Sequence, residues 1–365
     1  MICKLIGTAA ALVAAVSFRL PAPPTVSAAS AIVMDADTGA VLYEEAADVQ
    51  SRIASTTKIM TALVALESLS LSDEFTVPAE GCDIEGSSIY LKPNQTVTIE
   101  TLLYGLMLES GNDAAVALAY ACCGDVEQFV QRMNETAHRL GLKNTHFDNP
   151  NGLDSPTHYS TARDLAALSA YALKNESFVQ IVSTKSITRD GISMRNHNRL
   201  LWSCEGVFGI KTGYTKAAGR ILVSAAQRDD RRLIVVTIRD GNDWQDHAAL
   251  YDYGFSNYDR EVAIRAGQYA FSLPTMDGES VRLYVREDFS FALTSGERLT
   301  LCPCEPKYTF SAGVFGTEAG CAWVMLGTRP VGKVHLLWGE TDHAASEDHI
   351  GTWRCIPSRS GNAAT

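Results

Sequence analysis

The chain has 365 residues, of which 46% are hydrophobic and 20% are charged, which is enough for one large packed domain and a smaller one. Its net charge of -11 and its pI near 5.2 argue against a nucleic-acid-binding protein, because neutralising phosphates requires a basic face that no stretch provides. We therefore expect an acidic, globular protein with no nucleic-acid partner.

Residues 1–29 have the pattern of an export signal peptide. Lys4 gives a positive start, residues 5–18 are mainly apolar, and residues 26–28 (Val-Ser-Ala) offer a small-residue cleavage site. The apolar segment is short for a bilayer span, and an uncleaved N-terminal anchor is the alternative. We expect the mature chain to begin near Ala29 and to work in the cell-wall space or periplasm, secreted or loosely membrane-associated.

The nine cysteines and the histidines suggest no metal site or cofactor. Export permits disulfides, but the scattered cysteine spacing does not define their pairing. Residues 302–304 (Cys-Pro-Cys) lack the spacing of a zinc or thioredoxin-like site, so with Cys321 we interpret them as strand residues or a local disulfide. His146 and His158 have no third ligand at usable spacing.

The first elements in chain order are a strand pair and a helix. Residues 31–35 and 41–43 predict two strands joined by a turn. Ser55 and Lys58 then fall three residues apart, on one face at the start of a helix that ends near Leu69. A serine needs a base to become a nucleophile, and a lysine serves only if burial or a second cation, for which Lys211 is a candidate, suppresses its charge. The alternative is a capped, solvated helix start.

A polar break separates the next two apolar helices. The helical pattern from Thr98 stops at Ser110-Gly111-Asn112, and a second apolar helix starts at Asp113. Buried Ser and Asn side chains need hydrogen-bond partners. The break is therefore either an exposed elbow or a means of presenting Ser110 and Asn112 to a cleft, and both alternatives stay open. Capping patterns predict two more helices, over residues 125–140 and 161–173.

The remainder of the chain is predicted to be mainly β-structure. Residues 207–213 form a strand that ends in Lys211-Thr212-Gly213, and residues 220–226 and 233–238 continue the antiparallel pattern. Gly213 leaves room for a ligand backbone beside the strand edge. Short β-rich runs over residues 256–340 predict a small β-sandwich domain, followed by a polar tail at 341–365. The tail lacks the basic amphipathic helix of a peripheral membrane anchor, so membrane attachment is not assigned.

Three short motifs occur in one order, Ser55-x-x-Lys58, Ser110-Gly111-Asn112 and Lys211-Thr212-Gly213. Together they resemble the motifs of the penicillin-recognising serine enzymes. The flanking residues are similar to those of the low-molecular-mass penicillin-binding D-alanyl-D-alanine carboxypeptidases, serine peptidase family S11. The resemblance covers roughly residues 31–255. It implies an α/β (α+β) fold, with a β-lactamase/transpeptidase-like domain of antiparallel sheet and helices at 30–255 followed by the β-rich domain.

The resemblance also implies the reaction and the catalytic residues. Ser55 attacks the carbonyl between two D-alanines of a peptidoglycan stem peptide, and Lys58 takes its proton. Ser110 relays that proton towards the leaving amine. Water then hydrolyses the acyl-enzyme, and β-lactam antibiotics acylate the same serine.

The substrate-binding residues follow from the same resemblance. Asn112 positions Lys58 and the substrate amide, while Lys211 and Thr212 hold the terminal carboxylate beside Gly213. The backbone N–H groups of Ser55 and Tyr214 form the oxyanion hole. Residues 239–244 give no secure position for a further carboxylate-binding arginine, so none is assigned.

Two other functions are weighed against the carboxypeptidase. A β-lactamase would share the acylation chemistry, but we find no E-x-x-x-N-type deacylation motif between Asn112 and Lys211. The additional β-rich domain also argues against it. A catalytically idle wall-binding protein would have no need of Ser55, Lys58 and Lys211.

Overall fold

The computed structural model describes residues 22–276, 279–293, 297–304 and 313–342. Most of the predicted signal peptide, including residues 1–21, and the predicted tail from residue 343 onward lie outside the described residues. The chain divides into two compact units. The first comprises Pro23–Val262 with Ser290–Ala292, and the second contains Ala263–Phe289 and the chain from Leu293. Among the described residues, no helix combines the length and apolar character needed to cross a bilayer.

A five-stranded antiparallel sheet forms the centre of the first unit, with the strand order β2-β1-β9-β8-β7. Successive residues of β1, such as Ile32 and Val33, are both fully buried. Because alternate side chains of a strand point to opposite faces, the sheet is covered on both faces. Its strands are β1 (Ser30–Asp35), β2 (Val41–Glu45), β7 (Val207–Thr215), β8 (Gly219–Arg228) and β9 (Arg231–Ile238).

Eight helices belong to the described part of this unit. The predicted helix at Ser55 begins instead as a 3₁₀ turn, Ala54–Thr57, and becomes α-helical only at Lys58. The helices are α1 (Lys58–Leu66), α2 (Ile99–Leu108), α3 (Asn112–Cys123), α4 (Val126–Arg139), α5 (Ala162–Ala172), α6 (Glu176–Ser183), α7 (Leu200–Ser203) and α8 (Asp243–Asn257).

The chain also contains two short hairpins and one further two-stranded ladder. Antiparallel pairs join β3 (Glu74–Thr76) to β4 (Thr96–Thr98) and β5 (Ser186–Arg189) to β6 (Ile192–Arg195). A second 3₁₀ turn spans Ala79–Gly81. The strands β10 (Asp259–Ile264) and β13 (Phe289–Leu293) form a further two-stranded sheet.

Residues just before β1 belong to the folded first unit. The Ser27 amide donates to an Asp246 oxygen at 2.6 Å, and its hydroxyl donates to Asp240 at 2.6 Å. The Ala29 amide donates to the Ile238 carbonyl at 3.0 Å. Ser27 lies within the predicted signal peptide, and in the structure it forms hydrogen bonds with the carboxylates of Asp240 and Asp246.

The predicted β-rich character of the second unit is confirmed. Five strands form an antiparallel sheet with the order β11-β12-β16-β15-β14. Alternating apolar residues, including Val281, Leu283 and Val285, build its core. The strands are β11 (Tyr269–Pro274), β12 (Ser280–Val285), β14 (Leu299–Pro303), β15 (Glu318–Leu326) and β16 (Arg329–Asp342).

Candidate active site

Ser55 and Lys58 meet where the 3₁₀ turn joins α1. The Lys58 Nζ lies 3.0 Å from the Ser55 Oγ. The same nitrogen donates to the Asn112 Oδ1 at 2.7 Å and to the Asn151 carbonyl oxygen at 2.5 Å. A neutral amine has two N–H bonds and one lone pair. With both hydrogens on these carbonyl acceptors, the lone pair remains for the Ser55 hydroxyl.

The surroundings of Lys58 disfavour its charged form. Its side chain has no exposed area. Burial lowers the pKa of Lys58 well below its ordinary value, the nearby charge of Lys211 lowers it further, and the Asp113 carboxylate opposes both effects. Lys58 therefore meets the chemical requirement for a base toward Ser55.

The polar break between α2 and α3 is buried and faces the cleft. Ser110 has a φ of +62°, a left-handed conformation that turns the chain sharply between the two helices. The backbone amide of Asn112 donates to the Ser87 carbonyl at 2.7 Å, and its side-chain Nδ2 donates to the Glu85 carbonyl at 2.5 Å. Because Nδ2 has that carbonyl partner, the Oδ1 is the atom that faces Lys58. The break is therefore not an exposed elbow, and Ser110 lines the cleft.

Asp113 fixes the loop that lies against Asn112. Its carboxylate accepts hydrogen bonds from the Ser88 hydroxyl at 2.6 Å and from the Ile89 and Leu91 amides at 3.1 and 3.0 Å. Asp113 is fully buried. The short motifs alone predict no role for Asp113, although an aspartate in an apolar helix indicates that its oxygens have hydrogen-bond partners.

A hydrogen-bonded chain supports the turn that carries Ser55. The Asp148 amide donates to the His158 Nδ1 at 3.0 Å, so the ring proton is on Nε2, which faces the Thr57 Oγ1 at 2.7 Å. Thr57 donates in turn to the Ala54 carbonyl at 2.8 Å. Ala54 has a φ of +45°, so this chain holds the strained residue directly before Ser55.

Two glycines allow close packing around the same turn. At Gly152, whose φ is +87°, a β-carbon would lie 2.0 Å from the Ala54 carbonyl oxygen. At Gly213, a β-carbon would lie 3.2 Å from the Ile53 carbonyl and 3.3 Å from the Thr56 amide nitrogen. A side chain at Gly152 would displace the Ser55 turn, and one at Gly213 would be tightly packed against it.

Strand β7 brings the third motif to the same place, with Lys211 beneath the cleft. Lys211 is almost fully buried, and its Nζ donates to the Thr212 carbonyl at 3.1 Å. Burial lowers the pKa of Lys211 to about 7, while Glu109 opposes the shift. Thr212, Gly213 and Tyr214 line the cleft, whereas Lys211 is not among its lining residues. The charge of Lys211 acts on Lys58, whose pKa it lowers.

The cleft itself has a volume of about 630 Å³ and an unexpectedly basic wall. Arg220 makes a bidentate pair with Asp243, with its nearest N–O distance at 2.6 Å, and its guanidinium lies 5.6 Å from the Trp244 ring centroid. The lining residues are Ser55, Ser87, Ser110, His197, Arg199, Thr212, Gly213, Tyr214, Arg220, Ile221, Asp243 and Trp244.

Arg220 could have been located by counting strand register. The tight β7–β8 turn pairs Tyr214 with Arg220, directly across from the third motif. Residues 239–244, by contrast, give no secure position for a carboxylate-binding arginine in the sequence. Arg199 and His197 precede α7, and no pattern in the sequence marked that segment. Within the described ranges, no group of three His, Cys, Asp or Glu side chains is arranged to hold a metal ion.

A nucleophile, a buried amine and an S-x-N loop around one cleft define the class of penicillin-binding serine peptidases. The model of peptidase family S11, D-alanyl-D-alanine carboxypeptidase, matches residues 18–242. The chain therefore belongs to the D-alanyl-D-alanine carboxypeptidase family. The predicted family and enzyme class are confirmed, and the protein is a hydrolase of the serine-type carboxypeptidase class.

Individual relatives and solved structures agree with the family match. The chain is 40% identical over 354 residues to the D-alanyl-D-alanine carboxypeptidase DacD of Escherichia coli K12, covering 92% of this chain and 87% of that protein. It is 34% identical to DacF of Bacillus subtilis, over 74% and 73% of the two chains. Penicillin-binding protein 5 of Haemophilus influenzae superposes with a TM-score of 0.75 at 29% identity, covering 88% of this chain and 100% of that one.

Proposed function

We propose that this enzyme removes the terminal D-alanine from peptidoglycan stem pentapeptides through an acyl-enzyme on Ser55. The observation that carries the proposal is the 3.0 Å contact between the Ser55 Oγ and the buried Nζ of Lys58. The lone pair of a neutral Lys58 removes the hydroxyl proton as the oxygen attacks the carbonyl between the two D-alanines. The C–N bond then breaks, free D-alanine leaves, and water hydrolyses the ester.

Ser110 and Asn112 serve the proton transfer in this proposal. Ser110 faces the cleft and passes the proton from Lys58 towards the leaving amine nitrogen. Asn112 keeps one hydrogen of the amine occupied, which aims the lone pair at Ser55. The backbone N–H groups of Ser55 and Tyr214 stabilise the tetrahedral oxyanion.

The substrate carboxylate binds on the β7 side of the cleft. The Thr212 hydroxyl donates to it, Gly213 leaves space for the peptide backbone, and the buried charge of Lys211 adds an attractive field. Arg199 and Arg220, which also line the cleft, strengthen that field, which favours a substrate ending in a carboxylate. β-lactams, which carry a carboxylate beside a strained amide, acylate Ser55 in the same orientation.

The cellular setting belongs to the proposal as well. The N-terminal pattern supports export to the cell-wall space or periplasm, where stem peptides occur. There the enzyme trims pentapeptides during peptidoglycan synthesis and so influences cell shape. Peripheral membrane association is not assigned, and neither a metal nor a cofactor enters the reaction as proposed.

The test is release of D-alanine from a purified muropeptide pentapeptide. We expect one equivalent of D-alanine and a tetrapeptide product from the wild type, and none from Ser55→Ala. A steady-state nitrocefin assay separates the β-lactamase alternative. A stoichiometric burst supports the carboxypeptidase, whereas rapid continuous turnover with no release of D-alanine would contradict it. An idle wall-binding protein would give neither activity.

A further inference from the structure

Two cysteines of the second unit face each other across neighbouring strands. The β14–β15 register pairs Cys302 with Trp323 and Pro303 with Ala322, so the next residues to meet are Cys304 and Cys321. The Cys304 amide donates to the Cys321 carbonyl at 3.1 Å, which extends the ladder to this pair. Cys304 and Cys321 are not joined by a disulfide in the structure.

The two thiols are near enough to be joined without moving a strand. The register and the backbone hydrogen bond place Cys304 directly opposite Cys321. Opposed residues of a hydrogen-bonded antiparallel pair have Cα atoms about 5.5 Å apart, within the roughly 4.4–6.8 Å that a disulfide spans. Cys302, two residues earlier, points to the same face as Cys304 but is diagonal to Cys321.

We propose that Cys304 and Cys321 form a disulfide that fastens β14 to β15 in an oxidising compartment. The inference does not depend on the catalytic proposal, because it concerns the β-rich unit alone. It selects one pair where the cysteine spacing in the sequence left the pairing undefined.

The oxidant is a low-molecular-mass disulfide such as oxidised glutathione. One cysteine thiolate attacks a glutathione sulfur, which breaks the glutathione S–S bond and releases one glutathione thiolate. The second cysteine thiolate attacks the protein sulfur of the mixed disulfide and releases the second glutathione. The two protein thiols thus lose two protons and two electrons, and one glutathione disulfide becomes two glutathione thiols.

The position of the pair indicates what the bond would achieve. Strand β14 has five residues and lies at the edge of the sheet, where β15 is its neighbour. Edge strands have hydrogen-bonding partners on one side only and separate more easily. A bond between Cys304 and Cys321 would also close the intervening segment, which restricts the unfolded chain.

The local electrostatics set how fast the bond forms. Burial, followed by the hydrogen bond and charge of Cys321, raises the pKa of the Cys304 thiol to about 11. The Lys333 ammonium lowers that pKa, and Cys302 raises it. The thiol is therefore protonated at neutral pH, and oxidation by glutathione should accelerate as the pH rises from 7 to 9.

The test maps the disulfide in the full chain after equilibration with oxidised glutathione. Trypsin releases Cys302 and Cys304 in residues 299–307 and Cys321 in residues 308–333. We expect these peptides to be linked without reductant and separate after reduction. Fragmentation between Cys302 and Pro303 assigns the link to Cys304.

Cys302→Ser is the matched control, since it removes the neighbouring thiol and keeps the proposed pair. The link should persist in Cys302→Ser and disappear in Cys304→Ser. A Cys302–Cys321 link in the wild type, or unlinked peptides after oxidation, would overturn the proposal. The wild-type map decides the question even if Cys304→Ser fails to fold.

Thermal melting tests whether the bond fastens the edge strand. The oxidised wild type should show a transition of the β-rich unit about 10 °C above that of the reduced protein. Cys304→Ser should melt at the same temperature with and without reductant. Equal melting of oxidised and reduced wild type would contradict the fastening role.

Discussion

Lys58 is surrounded by acceptors suited to a neutral amine. Its hydrogen-bond partners are a hydroxyl, an amide oxygen and a backbone carbonyl, and its side chain is completely buried. An arginine at this position would keep its charge at any accessible pH and could not accept a proton. The proposed chemistry at Ser55 therefore depends on the lysine nitrogen being neutral.

Lys211 should influence Lys58 through its charge, and Lys211→Met tests this. Removing that charge raises the pKa of Lys58, so we expect the acid limb of the acylation profile to move to higher pH by about one unit. The measurement is the second-order rate of acylation by a fluorescent penicillin between pH 5 and 10.

The pH at which the acid limb falls distinguishes this electrostatic effect on Lys58 from weaker binding of the penicillin carboxylate. Loss of binding alone lowers the rate at every pH and leaves the limb in place. Lys216→Met is the control, because Lys216 is exposed on the turn after β7 and should leave the profile unchanged. An acid limb that stays fixed in Lys211→Met would contradict the electrostatic role.

At the scale of the element, the 3₁₀ turn needs support from outside its own residues. Its strained Ala54 is held by the Thr57 hydroxyl, which is in turn held by His158 on a different segment. Gly152 and Gly213 also pack against the same turn. The position of Ser55 is thus fixed by long-range contacts that a helix alone would not supply.

Thr57→Val should slow acylation more than it affects folding. The change keeps the side-chain shape but removes the bond to the Ala54 carbonyl, so we expect acylation about tenfold slower. Thr237→Val is a matched control, because Thr237 is also buried and also contacts a buried histidine, His247, at 2.9 Å.

Both substitutions should lower the free energy of unfolding by about 1–2 kcal/mol, the range for a lost buried hydrogen bond. Only Thr57→Val should alter the acylation rate. Equal acylation rates in the two variants would show that the chain from His158 to Ala54 has no part in positioning Ser55.

At the scale of the whole molecule, two buried histidines make stability depend on pH. Burial lowers the pKa of His158 to about 4 and that of His247 to about 3. An unfolded histidine titrates at about 6.5, so below that pH the unfolded chain binds more protons. Stability should consequently fall as the pH drops from 6.5 to 4, by up to about 1.4 kcal/mol per pH unit for each histidine.

Urea unfolding at pH 7, 6 and 5 measures this slope. His158→Gln removes one of the two titrating histidines. The free energy of unfolding of this variant should therefore depend less steeply on pH than that of the wild type, by the contribution of one histidine. Identical slopes in the two proteins would mean that His158 is not held neutral in the folded state.

The sequence predicted the parts of the fold that depend on local pattern. The strands β1, β7, β8 and β9 and the motif residues follow from periodicity, turn signals and the order of three short motifs. Long-range placement was harder to predict, because the Asn151 carbonyl, His158 and Arg220 reach the site through turns and strand register. The buried position of Lys211 was also missed, since a lysine in a strand gives no sign of its exposure.

The central claim is that Ser55 is the nucleophile, and the site of the covalent adduct tests it most directly. After reaction with penicillin and digestion with trypsin, we predict one adduct per chain, on the peptide of residues 53–58. Ser55→Ala should retain the circular dichroism of the wild type and carry no adduct. An adduct on another peptide, or unchanged labelling of folded Ser55→Ala, would contradict the account.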